Sequence, residues 1–573
     1  MACQGNGLTW ATLAHLSAFP DMTEQTLQPA GTLANNLLVP DPFAAGIASG
    51  WKAYEAHSRE LPKQIVADVV IVGTGAGGGI TAEICARAGL KVLLIEEGPL
   101  KTSKDFKMVE SEAYPTLYQE SAGRKTADKA INILQGRAVG GSTTVNWTSS
   151  FRTPADTLAF WQNRFGLKDM TVEAMAPWFE QAERRLNIAD WQVPPNENND
   201  ILRRGAEAKG ISWGAIRRNV KDCWNLGYCG MGCPTNAKQS MLVSTIPTAL
   251  EHGAELIASL RAHSFKISQG RIRTLRCQVM NPDGVLPSGK EVEVIAKHFV
   301  LAGGAINSPA VLLRSNASDP HDHLGERTFL HPVVISAAMM EQEVRADAGA
   351  PQTIYSDHYL HTDPIDGPVG FKLEAPPLHP VIFASTLPGF AKKHAEIMRN
   401  FSKTHMQLAL LRDGFNSGSV GGRVRLNTDH TPVLDYKLTP AIWDAARRAL
   451  VAMAELQHAA GAKSTLPVHE HAAPANNIDD ALKQINSLEM KALAMKVVSA
   501  HVMGGCAMAG DEKLGVTDPD GRHWQIENLS IHDGSLFPTS IGANPQLSIY
   551  GLSNKLSQQL VAELTGQAAP ALA

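Results

Sequence analysis

The sequence predicts an α/β protein in which a dinucleotide-binding domain with a parallel sheet carries a second, inserted domain. Three observations support this fold class. A glycine-rich fingerprint follows a buried strand near residue 73, a second glycine-rich stretch covers 136–146, and strand-like alternation with one amphipathic helix lies within 336–496. The 573 residues also exceed one ordinary core, so more than one structural unit is expected.

The fingerprint is a Gly-Thr-Gly-Ala-Gly-Gly sequence that directly follows the β-branched and aliphatic run 66–72. Gly73 permits a tight turn, Gly75 lets the backbone approach a pyrophosphate, and Gly78 lets the following helix pack against the strand. The amides at the helix N-terminus can then bind the anion without a basic side chain. This motif therefore predicts a dinucleotide site.

The residues after the fingerprint fit the same motif. The helix is expected to end near Gly89, and a second strand over 91–95 delivers Glu96 about 20 residues after the glycines, where an acid that binds a ribose is expected. Strand, glycines, helix, strand and acid agree, but they do not distinguish a flavin from a nicotinamide cofactor.

The second glycine-rich stretch reads Gly-Arg-Ala-Val-Gly-Gly-Ser-Thr-Thr-Val-Asn over 136–146. Without a Cβ, Gly140 and Gly141 let the backbone cross the face of a planar ring. Hydroxyl and amide groups that can bond a ring or a pyrophosphate follow. The cofactor-binding residues predicted from the two motifs are Gly73, Gly75, Gly78, Glu96, Arg137, Gly140, Gly141, Ser142, Thr143 and Asn146.

With this stretch the chain resembles the glucose–methanol–choline (GMC) oxidoreductase family, whose flavin-side signature has the same order of glycine, polar, aliphatic and small residues before a final Asn. Segment 299–309 is similar to the family's second signature, although Asn316 stands where Gly is usual. A third similar block begins with His-Val-Met-Gly-Gly-Cys at His501 and ends with Asn-Pro-Gln at 544–546. The resemblance implies FAD as the cofactor.

The resemblance also implies roles for the third block. In this family the His that heads the block and the Asn before Pro face the flavin N5 region, which makes His501 and Asn544 the catalytic pair. In the same family the Asp-Gly pair of this block lies against the ribityl-pyrophosphate part of the FAD. Three further cofactor-binding residues are thus expected, namely Asp533, Gly534 and Gln546.

The chemistry of alcohol oxidation supports His501 and Asn544 as the catalytic pair. Oxidation removes a hydroxyl proton and a hydride from one carbon, so a base is expected beside the flavin. A neutral His501 can accept that proton at pH 7, and Asn544 can donate a hydrogen bond to the developing alkoxide. Glu374 resembles, with a one-residue slip, a glutamate of the sterol enzymes and is a second acid/base candidate. A solvated or salt-bridged carboxylate is the alternative for Glu374.

The positions of the motifs predict a Rossmann-like FAD-binding domain assembled from discontinuous segments, with an inserted antiparallel-sheet substrate domain. The predicted divisions are an N-terminal extension over 1–65, the FAD-binding domain over 66–150, 235–335 and 497–573, a connecting and cap segment with a Cys-rich loop over 151–234, and the substrate domain over 336–496. The insert contains a strand near 422–426 and a helix over 440–460.

The third block looks closer to the long-chain alcohol oxidase and cholesterol oxidase branches than to the sugar oxidases, so we expect an apolar alcohol, whether long-chain, aromatic or sterol-like. The electron acceptor could be O2, a quinone or a cytochrome. Val145 stands where relatives with a tethered flavin have a histidine anchor, which predicts non-covalent FAD. The alternatives are a sterol oxidase/isomerase, a non-redox lyase that keeps FAD as a scaffold, and an NAD-linked dehydrogenase.

Charge and hydropathy argue against a nucleic-acid-binding protein and against a transmembrane or secreted one. A net charge of -4, from 52 basic and 56 acidic residues, gives no electrostatic footprint for nucleic acid. No run of 18 apolar residues and no signal-like N-terminus is visible, so a cytoplasmic enzyme without a transmembrane segment is expected. A short helix over 9–19 is interpreted as a packing arm, with peripheral membrane contact as the alternative.

Seven cysteines, an odd number, argue against a disulfide framework. Cys223, Cys229 and Cys233 are separated by five and then three residues and end in Cys-Pro. A related arrangement carries a three-iron cluster in bacterial sugar dehydrogenases related to this family, whereas long-chain alcohol oxidase-like relatives have similar Cys-rich loops. We expect packing cysteines and no metal site.

Overall fold

The structure is a computed structural model that describes residues 39–389 and 391–573, so the helix expected over 9–19 lies outside the described residues. The helices are α1 Pro42–Ala48, α2 Ala76–Arg87, α3 Glu110–Leu117, α4 Ser142–Val145, α5 Ala155–Phe165, α6 Val172–Arg185, α7 Glu197–Lys209, α8 Thr245–Glu251, α9 Gly304–Arg314, α10 Pro380–Thr386, α11 Ala391–Arg399, α12 Pro440–Ala459, α13 Ile478–Ser487 and α14 Gln546–Thr565.

The strands are β1 Lys52–Glu55, β2 Gln64–Val72, β3 Val92–Ile95, β4 Ile131–Ile133, β5 Ile188–Asp190, β6 Gly214–Ala215, β7 Arg217–Asn219, β8 Glu255–Ala258, β9 Leu260–Ser268, β10 Arg271–Met280, β11 Pro287–Leu301, β12 Phe329–Leu330, β13 Val333–Met339, β14 Ile354–Ser356, β15 Phe371–Glu374, β16 Thr404–Leu411, β17 Arg423–Leu426, β18 Pro432–Asp435, β19 Ser464–Pro467, β20 Val497–Ser499, β21 Val502–Met503 and β22 Leu529–Ile531.

The first large sheet has the order β1-β8-β3-β2-β11-β10-β9, with β22 also beside β11. Strands β1, β8, β3, β2, β11 and β22 pair in parallel, while β10 and β9 add an antiparallel edge. The aliphatic side chains of β2 are fully buried from Val69 to Ile71, as expected for a parallel strand covered on both faces. The predicted strand–helix–strand unit is therefore present, and the α/β class is confirmed.

The second large sheet has the order β4-β20-β13-β16-β15-β14-β6, with β19 also paired to β13. Its pairs are antiparallel apart from β20 with β4. The predicted helix is α12, which buries Ala445, Ala449 and Met453 in a core that includes Val334 and Leu411 of this sheet. The strand predicted near 422–426 is β17, which pairs with β18 in a separate two-stranded sheet.

A cavity of about 1160 Å³ is lined by residues from both large sheets. The β2–α2 turn and β3 contribute one end, and β13, β16 and α10 contribute walls at the other. Within 39–389 and 391–573, no helix combines the length and apolar character needed to cross a bilayer. The domain boundaries given above stay a prediction.

Candidate active site

The β2–α2 turn places its three fingerprint glycines in three different environments. Gly73 has φ +99°, and a Cβ there would overlap the carbonyl of Ala302. A Cβ on Gly78 would overlap the carbonyl oxygen of Gly73, so only glycine lets α2 pack this close to β2. Beside Gly75 the nearest atom to such a Cβ is 3.9 Å away, so this position opens into the cavity.

Helix α2 begins at Ala76 and no side chain caps its N-terminus. Its first amides have no partner within the helix, and they lie beside the open space at Gly75. Free amides and the positive end of the helix dipole suit a phosphate group. The turn can therefore hold a dinucleotide pyrophosphate.

The second glycine-rich stretch packs directly on the first. A Cβ on Gly141 would lie 2.7 Å from Cα of Gly75, and the amide of Gly140 donates to Oγ1 of Thr74 at 3.0 Å. Ser142 Oγ accepts from the amide of Gly136 at 2.9 Å, and Thr143 Oγ1 donates to the carbonyl of Gly140 at 2.6 Å. These two hydroxyls thus stabilise the loop itself.

Glu96 is buried at the end of β3, where it supports the glycine turn. Its Oε2 accepts from Oγ1 of Thr74 at 2.6 Å, and its Oε1 accepts from the amide of Gly98 at 2.8 Å. Burial raises the pKa of Glu96, and these hydrogen bonds oppose the rise. Glu96 also lines the cavity, and its role as a ribose partner stays a prediction.

Sequence reasoning missed Glu97, the neighbour of Glu96. Its Oε1 lies 3.0 Å from Nε of Arg137, and its Oε2 lies 3.3 Å from Nε of Arg261. Although burial opposes its ionisation, Arg261 and Arg137 lower the pKa of Glu97 to about 2. Arg137, predicted to bind the cofactor, lines the cavity with its charge already paired. The adjacent Glu-Glu pair after β3 was the available signal.

The distant motifs meet through side-chain amides and a carboxylate. Asn146 Nδ2 donates to Oε1 of Gln546 at 2.6 Å across 400 residues of chain. Asp533 Oδ2 accepts from the amide of Gly304 at 2.8 Å and from Oγ of Ser308 at 2.5 Å. Burial raises the pKa of Asp533. Asp533 thus joins the third block to the second signature. Gly534 also lines the cavity.

His501, which follows β20 of the second large sheet, lines the end of the cavity formed by that sheet and contacts a second histidine. The Nδ1 atoms of His501 and His331 lie 3.0 Å apart, and Nε2 of His331 accepts from the amide of Gly542 at 3.2 Å. Burial, followed by the charge of Lys372, lowers the pKa of His501 to about 3. His501 is therefore neutral at pH 7, as expected from the sequence.

Asn544 also lines this end, and a buried ion pair fixes its amide. Lys372 Nζ donates to Oδ1 of Asn544 at 3.0 Å and lies 3.0 Å from Oε1 of Glu374. Glu374 Oε2 accepts from Nε2 of Gln352 at 2.7 Å and from Nδ2 of Asn544 at 3.4 Å. Lys372 and Glu374 are 2% and 0% exposed, so Glu374 is a salt-bridged carboxylate and not a solvated one.

Sequence reasoning missed Lys372 and His331. Lys372 and Glu374 alternate on β15, so they share one face of the strand, which was a readable signal once Glu374 was chosen. Burial lowers the pKa of Lys372 to about 8, although Glu374 opposes this shift. The ammonium also lies 3.1 Å from the centroid of the Phe151 ring. His331 had no signal beyond its place before Pro332.

Apolar side chains enclose the space next to this polar end. They come from β13, β16, β20 and α10, and they are Val333, Met406, Leu408, Leu410, Val498, Ile382 and Phe383. Alternate residues of a strand face one side of a sheet, which explains why Met406, Leu408 and Leu410 all reach the cavity. The site thus combines two polar groups with an apolar chamber.

The Cys-rich loop lies against the second glycine-rich stretch. Lys238, only 2% exposed, donates to the carbonyls of Thr144, Asn146 and Cys229 at 2.7 to 2.8 Å. The cysteines of the loop have separate polar neighbours, including Arg218 beside Cys229 at 3.8 Å. Among the described residues, no three His, Cys, Asp or Glu side chains are grouped so as to hold a metal ion.

Comparison with known proteins gives consistent matches. The family models for the N- and C-terminal parts of GMC oxidoreductases match residues 114–333 and 418–553. An uncharacterised GMC-type oxidoreductase of Mycobacterium tuberculosis is 30% identical over 515 residues, 89% of this chain and 78% of its own length. A long-chain-alcohol oxidase of Arabidopsis thaliana is 27% identical over 511 residues, 86% of this chain and 68% of its own.

Solved structures share the fold. A formate oxidase of Aspergillus oryzae, a variant used to study FAD modification, superimposes with a TM-score of 0.66 at 14% identity, covering 88% of this chain and 100% of its own. At this identity the match shows the fold alone.

Proposed function

The chain belongs to the GMC oxidoreductase family, and on that basis we propose that it oxidises a hydrophobic alcohol to an aldehyde or ketone with FAD. The observation that carries the proposal is one continuous cavity. Its glycine-lined end suits a dinucleotide, and its other end brings His501 and Asn544 under apolar walls.

The geometry around the β2–α2 turn supports FAD as the cofactor. The open position at Gly75, the uncapped start of α2 and the buried Glu96 suit the pyrophosphate and ribose of a dinucleotide. When bound, the flavin supplies the acceptor for a hydride from the alcohol carbon. Val145 has no nucleophile that could attach to the flavin, so the cofactor is held non-covalently.

The residues at the reacting end hold the alcohol. His501 and Asn544 bind its oxygen, which fixes the direction of the carbon that carries the hydrogen. The chamber formed by residues such as Val333, Met406 and Leu410 encloses the apolar part of the substrate and excludes water. The long-chain-alcohol oxidase among the relatives supports an extended alkyl substrate.

The test is anaerobic bleaching of the purified yellow protein by primary alcohols of increasing chain length, with glucose as the polar control. We expect bleaching to become faster from ethanol to decanol and to be absent with glucose. A colourless protein would refute FAD, and a yellow protein that no alcohol bleaches would indicate a non-redox member of the family. Repeating turnover under air, with a quinone and with a cytochrome identifies the acceptor.

The non-covalent attachment has its own test. Acid precipitation of the protein should release all the yellow colour into the supernatant. Colour that stays in the washed pellet would contradict the interpretation of Val145.

A further inference from the structure

The cavity reaches the surface of the protein at α10. Val381 lines the cavity and is also 52% exposed, and Ser385, one turn further along the helix, is exposed and lines it too. Pro115 of α3 has the same two properties. We call this opening, lined by Pro115, Val381 and Ser385, the mouth of the cavity. It lies beside the apolar chamber, since Ile382 and Phe383 of α10 belong to the chamber walls.

A buried carboxylate joins the two helices at the mouth. The oxygens of Glu110 in α3 accept from the amides of Val381 and Ile382 at 2.7 and 2.9 Å. Amides in the first turn of a helix have no partner within that helix, so Glu110 supplies the partner that α10 lacks. The start of α10 is therefore held against α3.

Helix α11 packs against α10 with one of its faces. Nε2 of His394 lies 2.9 Å from a carbonyl oxygen of α10, and the ring of Phe401 lies 5.3 Å from that of Phe383. Ile397 and Met398 pack on the same cluster of buried apolar side chains as Phe383. The packed residues of this segment recur at intervals of three and four positions, so they lie on one face of a helix.

The other face of α11 is cationic. Lys392, Lys393 and Arg399 are exposed, and Lys403 is exposed in the 3-10 turn that follows. Glu396 is the acidic residue of segment 391–403, so four cations and one carboxylate give this segment a net charge of +3, whereas the whole chain has -4. Within residues 39–389 and 391–573, none of these four cations forms an ion pair with a carboxylate.

We propose that the cationic face of α11 and the mouth beside it dock on the surface of an anionic lipid bilayer. An amphipathic helix with lysine and arginine on its polar face is typical of segments that lie on membranes, and an anionic leaflet attracts each of these cations. Val381 adds an exposed aliphatic side chain at the mouth. The docking is independent of the chemistry, whereas its use in delivering an alcohol rests on the proposed function.

The position of the mouth favours a bilayer over an acidic protein as the partner. An alcohol with a long alkyl chain is concentrated in a bilayer and scarce in water, because the transfer of each CH2 group out of water is favourable. With the mouth against the bilayer, such an alcohol enters the chamber without crossing water. An acidic protein carries the same negative charge, but it gives no reason for the cavity to open beside the docking face.

Sedimentation with vesicles tests the docking without any alcohol. The FAD-loaded protein is mixed with sucrose-loaded vesicles of phosphatidylcholine alone, or of phosphatidylcholine and phosphatidylglycerol in equal parts, and the bound fraction is measured after centrifugation. We expect binding to the anionic vesicles to be about 100-fold tighter or more, and to weaken at about 1 M salt. Equal binding to the two kinds of vesicle, or no binding to either, would overturn the proposal.

Charge variants locate the docking surface. Each lysine near an anionic surface strengthens binding about fivefold, so Lys392→Gln combined with Lys393→Gln should weaken binding to the anionic vesicles about 25-fold. The matched control is Lys266→Gln combined with Lys290→Gln, because these lysines are exposed on β9 and β11 of the first large sheet. The control should bind within about twofold of wild type. Equal losses in the two double variants would contradict docking through α11.

An aspartate at the mouth tests the contribution of Val381. Val172 of α6 is 46% exposed and does not line the cavity, so Val172→Asp is the matched control for Val381→Asp. We expect Val381→Asp to weaken vesicle binding about tenfold or more and Val172→Asp to weaken it less than about twofold. Wild-type vesicle binding in Val381→Asp, together with equally tight binding of wild type to polyglutamate, would indicate an acidic protein as the partner and refute the bilayer.

Flavin bleaching connects the docking to the proposed function. With butanol, which dissolves in water, the Lys392→Gln and Lys393→Gln double variant should bleach as fast as wild type. With hexadecanol carried in anionic vesicles, the variant should bleach about tenfold more slowly or less. Equal rates with hexadecanol would show that docking does not deliver the alcohol. Vesicle binding by a protein that no alcohol bleaches would refute the proposed function and support the docking.

Discussion

The two ends of the cavity are built from different parts of the polypeptide. At the nucleotide end, backbone dominates, because Gly73, Gly75 and Gly141 bring main chain close to main chain. At the reacting end, side chains dominate, and they come from strands and loops far apart in the chain, namely His331, Lys372, Glu374, His501 and Asn544. Substitutions at the nucleotide end should therefore affect FAD binding, and substitutions at the reacting end should affect the rate of flavin reduction.

The largest expected effect is at the nucleotide end. Gly75→Ala should fold normally, because Gly75 has φ -70° and its Cβ would meet no protein atom within 3.9 Å, but the methyl group would occupy the space for the pyrophosphate. We expect FAD affinity to fall about 100-fold or more, measured by flavin fluorescence titration of the apoprotein.

Gly78→Ala is the matched variant for Gly75→Ala. Its Cβ would overlap the carbonyl oxygen of Gly73, so it should lower the melting temperature of the apoprotein, which Gly75→Ala should leave unchanged. Wild-type FAD affinity in Gly75→Ala would show that this position does not face the cofactor.

At the reacting end, His501→Ala should slow flavin reduction about 10²- to 10⁴-fold, because it removes the base expected beside the alcohol hydroxyl. FAD binding should be unchanged, since His501 belongs to the other end of the cavity. The measurement is the anaerobic bleaching rate at saturating alcohol, with FAD occupancy as the control. A near-wild-type rate would show that His501 does not contact the reacting oxygen.

Asn544→Ala should also slow flavin reduction, but by a smaller factor of about tenfold to 100-fold, because His501 remains in place. The variant also leaves the ammonium of Lys372 without one acceptor, so its thermal stability should be recorded beside the rate. Loss of FAD from this variant would show that the two ends are not independent.

Acidification tests both ends through stability. Burial lowers the pKa of His501 at the reacting end, and that of His532 beside α2, to about 3. The unfolded chain binds these protons near pH 6.5 and the folded protein does not, so stability is full above about pH 6.5 and falls as the pH decreases towards 3. Each histidine should reduce stability by about 2 kcal/mol between pH 7 and pH 5.

Melting temperatures across that pH range provide the measurement, and His501→Gln removes one of the titrating groups. Its melting temperature should therefore depend less steeply on pH than that of wild type. The same pH dependence in both proteins would contradict a buried neutral imidazole at position 501.

The smallest effect is expected in the Cys-rich loop. Cys229 contributes its carbonyl, not its thiol, to the bond with Lys238, so Cys229→Ser should keep the flavin spectrum and turnover within about twofold. Iron analysis of the wild-type protein should find a negligible amount. Stoichiometric iron, lost in Cys229→Ser, would instead indicate a cluster that passes electrons to a partner.

The two ends of the cavity also differ in how many of their residues could be predicted from the sequence. The turn at Gly73 and the helix after it could be predicted, because the motif and its geometry lie within about twenty consecutive residues. His501 and Asn544 could be located from a family resemblance. Lys372 could be found only from its alternation with Glu374 on β15. His331 could not be found, because its role depends on which elements become neighbours, and no local pattern records that.

Asn316 shows the same limit on a smaller scale. It stands where relatives have glycine, and it adopts φ +48°, a conformation that asparagine tolerates better than most residues. The departure from the family pattern therefore keeps the backbone geometry, which becomes clear only when the dihedral angle is known.

The bond between Asn146 and Gln546 has a consequence for synthesis of the protein on the ribosome. The glycine turn and its neighbouring stretch emerge early and can begin to fold while translation continues. Asn544 and the amide partner of Asn146 are added some four hundred codons later. A nascent chain can thus complete its reacting chamber only after residues 544–546 have been synthesised.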